Sequence, residues 1–392
     1  MSYKNKDTDL IMDDKKIVKI LQIGMTDNIG GMETYLMAQY RKMNRSKVRY
    51  HFLNHRNDDH IAFEEEILDN GDSIYRVPQR KKSPLKHWWN VLKLLYHYRN
   101  EYSYIVLNVC ELSYVFPLFA AKLVGIPHRI IHSHNSGNEI LATDGHFGFM
   151  RRLMISFNRL LLKFSATDYW ACSNLAGKWM FGKNISFRVI HNAIDIEKFY
   201  YQPQIRDDVR HELNIPPNAY VIGNIARISY QKNQEFLIEV FREISIKDND
   251  ALLLLVGGDN GRGNFEKKIR DLVSQYHLNN RVIFLGMRED ANRIFQAMDC
   301  FVLTSRFEGL CISAIEAQTS CLPCVCSDVL PQEAVITNRF YPISLSATPI
   351  EWAELILKQK YKERYDVRDE IRKSGYDIAT EVKKMEKIYT EE

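Results

Sequence analysis

The chain has 392 residues, 45% hydrophobic and 26% charged, with a formal charge of +4, a balance normal for a globular protein and too weakly basic to imply nucleic acid. No run of about 18 apolar residues exists to span a bilayer, and the leader MSYKNKDTDLIMDDKK lacks the apolar core of a signal peptide and reads as disordered. The seven cysteines, scattered and odd in number, fit free thiols in a reducing compartment, and the length suits two domains of about 150–200 residues.

Residues 17–23 predict a buried strand ending in Gly24. The loop MTDNIGGMETYL follows, with Gly30 and Gly31 just before a helix that starts around Met32. A glycine pair between strand and helix lets the backbone approach an oxygen-rich ligand, and it equally suits a sharp turn. Strand-like runs at 48–53, 73–77 and 104–108, with helices between them, argue for a parallel sheet covered on both faces. Residues 80–96 and 151–163 are basic, free of acids and amphipathic at helical spacing. Such helices suit packing on their own sheet, and they also suit an anionic membrane surface.

Residues 129–131 predict a strand, with His132, Ser133, His134, Asn135, Ser136 and Gly137 forming the loop at its carboxyl end. Two histidines alone are poor evidence for a metal. Residues 137–149 read as a flexible loop. A strand over 169–173 ends in Ser173, residues 187–195 (FRVIHNAID) close the first domain, and the polar, proline-containing stretch 202–218 reads as a linker.

The second domain opens with a strand over 220–225, followed by a loop carrying Arg227 and Lys232 before a helix over 235–246. Two cations at the carboxyl end of a strand would neutralise a diphosphate. A strand over 252–256 with Gly257 and Gly258, a helix over 264–276, a strand over 282–286 ending in Gly286, and a helix over 290–298 continue the alternation. The stretch DCFVLTSRFEGLCISAIEAQTSCLPCVCSD then reads as strand, loop, helix and strand, the last over 322–326. Gly309 permits close backbone approach, and the helix start offers unpaired N–H groups to a phosphate. Glu308 and Glu316 are eight apart, a little over two turns, on roughly one helix side; capping and solvation are the plain alternative roles. Cys321, Cys324 and Cys326 lie along the buried strand rather than at metal spacing. The acidic pairs at Asp7/Asp9 and Asp248/Asp250 fall in a tail and a turn and carry no metal motif. A helical tail over 349–389 ends the chain.

The run SRFEGLCISAIEAQTSCLPCVCSD closely resembles the Glu-x7-Glu signature of retaining nucleotide-sugar glycosyltransferases of family 4, which have the GT-B fold. The resemblance covers nearly the whole chain: GG-x-E after the first strand, HSHNS, the S…VI-x-N-x-x-D…F crossing and R-x4-K follow in order. It implies an α/β protein with two doubly wound Rossmann-like domains facing a central cleft. Residues 1–200 would form the acceptor-binding domain, 201–370 the donor-binding domain, and 371–392 a helix bracing the first. Glu308 and the backbone of Gly309, Leu310 and Cys311 would face the donor sugar and phosphates, and Glu316 the ribose hydroxyls. Arg227 and Lys232 would hold the diphosphate, and Gly286 would meet the base. The glycine loop of Gly30 and Gly31 would lie across the cleft from the phosphates, with Glu33 and Thr34 as secondary candidates. His134, with His132 as the alternative, would meet the reacting sugar beside Asn135, and Ser173 and Asn192 would be contacts at the crossing, where Asn192 and Asp195 shape the hinge. Cys311 stands where proline is common and Cys321 where glycine is common.

The activity implied is retaining transfer of a sugar from a nucleotide donor, most similar to bacterial exopolysaccharide and capsule enzymes that use UDP-sugars. The acceptor would be a saccharide, free or linked to polyprenyl diphosphate, and the protein would be cytoplasmic or peripheral on the inner face of the cell membrane, with no metal cofactor. A sugar-nucleotide 2-epimerase of the same fold and a silent nucleotide-sugar-binding subunit are the alternatives. A NAD oxidoreductase is disfavoured because no G-x-G-x-x-G follows a strand.

Overall fold

The computed structural model describes residues 17–27, 29–55, 60–136, 146–259 and 264–391. The predicted lead-in, Asp7 and Asp9, and most of the 137–149 loop lie outside them. Seven strands form the first sheet: β1 (Val18–Ile23), β2 (Val48–Asn54), β3 (Ile74–Arg76), β4 (Tyr102–Val109), β5 (His128–Ser133), β6 (Asp168–Ala171) and β7 (Arg188–Val189). Their order is β3-β2-β1-β4-β5-β6-β7, and every pairing is parallel. The second sheet holds β8 (Tyr220–Ile225), β9 (Ala251–Val256), β10 (Val282–Gly286), β11 (Cys300–Leu303), β12 (Cys324–Ser327) and β13 (Phe340–Ile343), ordered β10-β9-β8-β11-β12-β13. It too is parallel throughout.

The central strands read as unbroken apolar runs because a parallel strand is covered on both faces; Cys300, Phe301, Val302 and Leu303 of β11 are all fully buried. Strand order reverses between β1 and β4 in one sheet and between β8 and β11 in the other. Loops leaving such neighbours diverge and open a crevice at the carboxyl edge. Gly30, Gly31, Arg227, Lys232 and Glu308 all lie on loops that leave these four strands or at the helix starts they reach.

Four local readings need correction. Residues 202–218 are not an open linker: Pro203–Glu212 is a helix, because proline fits the first turn of a helix. Its Arg206 and Arg210 grip Asp299 at 2.6 Å each, and Val209 is fully buried. His132 is not in a loop but inside β5, paired with Trp170 of β6. Glu308 is not helical, since the helix begins at Ile312, so the two glutamates are not two turns apart on one helix. The strand after that helix starts at Cys324 rather than at residue 322.

The tail is three helices. Pro349–Leu357 packs on the second half through Trp352, whose Nε1 donates to the Ser344 carbonyl at 3.0 Å. Arg368–Lys373 follows, and Ile378–Glu391 then returns to the first half, where the Tyr389 ring meets Tyr50, Tyr104 and Trp170. Among the described residues no helix is long and apolar enough to cross a membrane.

Candidate active site

The loops after β8 and β11 are laced together. Thr304 Oγ1 donates to the carbonyls of Lys232 and Asn233, and Arg306 N–H donates to the Gln231 carbonyl at 2.7 Å. That lacing puts Lys232 Nζ 2.5 Å from Glu308 Oε1, with both side chains largely buried. Ser305 Oγ donates to the same carboxylate oxygen at 2.6 Å, and Gln231 Nε2 donates to the Phe307 carbonyl at 2.9 Å. Burial opposes the Lys232 ammonium, but the neighbouring Cys311 and Glu308 groups outweigh it and hold its pKa above the usual lysine value. Arg227 differs from Lys232: it is exposed, and its guanidinium has no partner among the described residues. The pair therefore offers one cation already neutralised and one open to an anion.

Glu316 is the second carboxyl of the motif. It sits on the helix Ile312–Thr319, is 7% exposed, and makes no side-chain hydrogen bond or ion pair among the described residues. Burial alone pushes its pKa up to about 8, so the carboxyl holds its proton at neutral pH. Its carboxyl oxygens keep contact with solvent and remain open to hydroxyl partners from outside.

Across the cleft, β4 carries Asn108 one residue before its end, and β5 leads into His134. Asn108 Nδ2 donates to Gln22 Oε1 at 2.9 Å, which leaves its Oδ1 to accept from His134 Nε2–H at 3.1 Å. His134 Nδ1 then accepts from Asn192 Nδ2 at 3.4 Å. Burial lowers the His134 pKa to about 3, so its ring is neutral, with both nitrogens engaged inside the first half. His132 lies deeper, between Tyr35 and Trp170, with a buried Nε2 that has no partner among the described residues. Neither imidazole presents a free nitrogen to the cleft.

The halves touch around Gly309. A Cβ there would lie 2.6 Å from the His134 carbonyl and 2.7 Å from Asn135 Cα, so only glycine fits. Ser173 Oγ donates to the Gly309 carbonyl at 2.6 Å, and Ser136 Oγ donates to that of Glu308. Asn174 adds two bonds to Glu333 Oε1, at 2.9 and 2.7 Å. Gly31, at the start of the helix Gly31–Lys42, faces Ile312 at 3.4 Å from its would-be Cβ, so the two helix starts abut. Gly30 precedes that helix, and Glu33 is turned inward to Thr26, whose N–H and Oγ1 both donate to it. Gly286 sits at the rim of the second sheet, accepting from Gly257 N–H at 2.7 Å, while Leu310 and Cys311 are buried beneath the cleft.

A cavity of about 870 Å³ opens between the halves. Of the predicted residues only Asn135 and Arg227 line it; Lys232 and Glu308 stand one layer back, behind Gln231 and Phe307. Sequence reasoning assigned no role to Ser305, Gln231 or Asn108. A polar residue closing an apolar strand was the available signal for Asn108, and the other two act through tertiary contacts that spacing does not encode. Among the described residues no cluster of three or more His, Cys, Asp or Glu is placed to hold a metal ion.

Two parallel α/β halves, each opening at its switch point onto one shared cleft, define a GT-B-type protein. Residues 205–376 match the family model described as glycosyl transferases group 1. EpsF of Bacillus subtilis (strain 168), which is named as a glycosyltransferase, is 31% identical over 388 residues, covering 96% of each chain. The chain therefore belongs to the group 1 glycosyltransferases. It is also 32% identical over 161 residues, 39% of each chain, to the Escherichia coli UDP-Gal:alpha-D-GlcNAc-diphosphoundecaprenol alpha-1,3-galactosyltransferase. The structure of Anabaena Alr3699/HepE in complex with UDP and glucose shares the fold, with a TM-score of 0.71 and 19% identity over 95% of each chain.

Proposed function

We propose that the chain is a retaining glycosyltransferase of family 4 that moves a hexose from a UDP-sugar to a hydroxyl of a saccharide acceptor. The acceptor is carried on a polyprenyl diphosphate at the cytoplasmic face of the membrane, in surface-polysaccharide synthesis. The carrying observation is an Arg227 on the cavity wall with no partner among the described residues, beside the buried Lys232–Glu308 pair. The Escherichia coli relative's UDP-linked donor and diphosphoundecaprenol-linked acceptor, and the UDP bound in the Anabaena protein, favour this donor and acceptor class.

In this reading Glu316 holds the ribose hydroxyls and Gly286 borders the base. Arg227, Lys232 and the amides of Gly309, Leu310 and Cys311 take the diphosphate. The bond from the anomeric carbon to the phosphate oxygen breaks, and its electrons go to the leaving diphosphate, where those cations stabilise them without a metal. The acceptor oxygen attacks the same face, and its proton passes to the departing phosphate. Glu308 keeps Lys232 in place. His134, with both ring nitrogens engaged, positions Asn135 and Ser136 against Gly309 rather than attacking.

The test is thermal denaturation with UDP, GDP, ADP and their sugars. A ligand at about 100 times its Kd adds roughly 2.7 kcal/mol. Stabilisation by uridine nucleotides that is lost in Glu316→Ala supports the reading. Epimerised donor without acceptor points to the epimerase, and no response to any nucleotide defeats both.

A further inference from the structure

The first half contributes cations of its own to the cavity wall. Arg80 and Lys81, just before the helix Pro84–Tyr98, and Arg151, on the helix His146–Ser165, all line it. Their partners set them apart. Arg151 is neutralised by Glu111, which its guanidinium meets through two hydrogen bonds. Arg80 instead donates from Nη1 to the Ser113 carbonyl at 3.0 Å, and its guanidinium lies over the Tyr114 ring, 4.7 Å from the centroid. A carbonyl and a ring orient a cation without cancelling its charge. Lys81 is exposed and forms no ion pair among the described residues.

The ring under Arg80 is itself held from behind. His87 is fully buried, and its Nδ1 faces the Pro78 carbonyl at 2.6 Å, which can only accept, so the ring proton sits on Nδ1. Burial lowers the His87 pKa and keeps the imidazole neutral, which leaves Nε2 to accept from the Tyr114 hydroxyl. His55 stacks on the same tyrosine, with centroids 5.1 Å apart and planes 12° apart. The Tyr114–His87 support carries no charge, so it fixes the guanidinium and leaves its charge to the cavity. In the reading above, the donor diphosphate already has Arg227, Lys232 and the amides after Glu308 on the second half. An anion at Arg80 therefore arrives with the acceptor. We infer that Arg80, with Lys81, binds the diphosphate through which the acceptor saccharide is carried, and that Tyr114 and His87 are positioning residues for it. The inference rests on that reading and adds the acceptor's contact on the first half. Separate cations on the two halves then let one cavity of about 870 Å³ admit two diphosphates that would otherwise repel each other.

Calorimetric titration of the UDP-saturated full chain with geranyl diphosphate tests it, since saturating UDP closes the Arg227 side to the probe. Arg80→Ala should weaken the probe roughly ten- to hundredfold, the scale of one charge-assisted hydrogen bond. Lys81→Ala, at an exposed position, should weaken it about three- to fivefold. Tyr114→Leu removes the ring beneath the guanidinium and should cost about fivefold, whereas Tyr114→Phe keeps the ring and should stay within about twofold of the wild type. UDP affinity should be unchanged in all four variants. No binding of geranyl diphosphate to the UDP-loaded wild type, or equal binding by Arg80→Ala, overturns the inference. So does a parallel loss of UDP affinity in Arg80→Ala, which would move Arg80 to the donor, and so does tighter Arg80-dependent binding of glucose 6-phosphate, which would make the anion a soluble sugar phosphate. A wild type that takes no UDP defeats the parent reading and this assignment with it.

Discussion

Replacing Glu316 with glutamine isolates the electrostatics of one buried carboxyl. The folded protein holds that carboxyl at a pKa of about 8 against an ordinary 4.5, through burial alone. Because the folded value is raised, the folded state keeps a proton that the unfolded state has released between those two pH values. Stability therefore falls as pH rises through that window, and the full penalty stands above pH 8. At 1.36 kcal/mol per unit the ceiling is about 5 kcal/mol. Relaxation and water entry return part of it, leaving a penalty of about 2–3 kcal/mol. Glu316→Gln keeps the side-chain volume and carries no charge. It should melt within a degree or so of the wild type at pH 4.5 and roughly 2–4 °C above it at pH 9, without ligand. Melting followed by circular dichroism at the two pH values reads the difference. An unchanged gap between wild type and variant from pH 4.5 to pH 9 would refute the assignment of an unpaired buried carboxyl.

Gly309→Ala should force the halves apart, since its Cβ meets backbone atoms at 2.6 and 2.7 Å. Transfer should fall by two orders of magnitude or more, with a larger radius of gyration in X-ray scattering; wild-type scattering with full activity would contradict the contact. Arg227→Ala or Lys232→Ala should each lower turnover by about 10²–10³ in a radiolabelled transfer assay, the scale of one electrostatic donor, and unchanged rates in both would remove the diphosphate from this loop. Cys321 adopts φ +52°, a conformation that favours glycine. Cys321→Gly should keep stability within about 1 kcal/mol despite emptying a buried site, because relieved strain offsets lost packing, whereas Cys321→Val should cost at least about 2 kcal/mol in urea denaturation.

Much of this arrangement is legible in the chain because it is local. Apolar runs such as Cys300–Leu303 announce strands covered on both faces. Glycine at 309 announces a close backbone approach, which the structure realises against His134 and Asn135, and Arg227 and Lys232 announce a cationic loop after β8. Cys321 replaces a common glycine and keeps the left-handed backbone that glycine would adopt, so the departure is visible in the sequence and its strain only in the structure. What stays hidden depends on distant partners. Lys232 finds Glu308 across a sequence separation of 76 residues. The helix Pro203–Glu212 reads as a linker because its stabilisation comes from Asp299 and the carbonyls beside it. His132 reads as a loop residue because a strand's last turns toward the core carry no periodic signal over so short a run. The contacts that bring the halves together, Ser173 to Gly309 and Asn174 to Glu333, span the chain and leave no mark in spacing.

The central claim is transfer with retention from a UDP-sugar, and proton NMR of the first-formed product tests it most directly. With an α-linked UDP-hexose and a diphosphate-linked saccharide acceptor, the account predicts an α-anomeric signal appearing from the earliest time point, together with free UDP. A β-anomeric signal as the first product would contradict it.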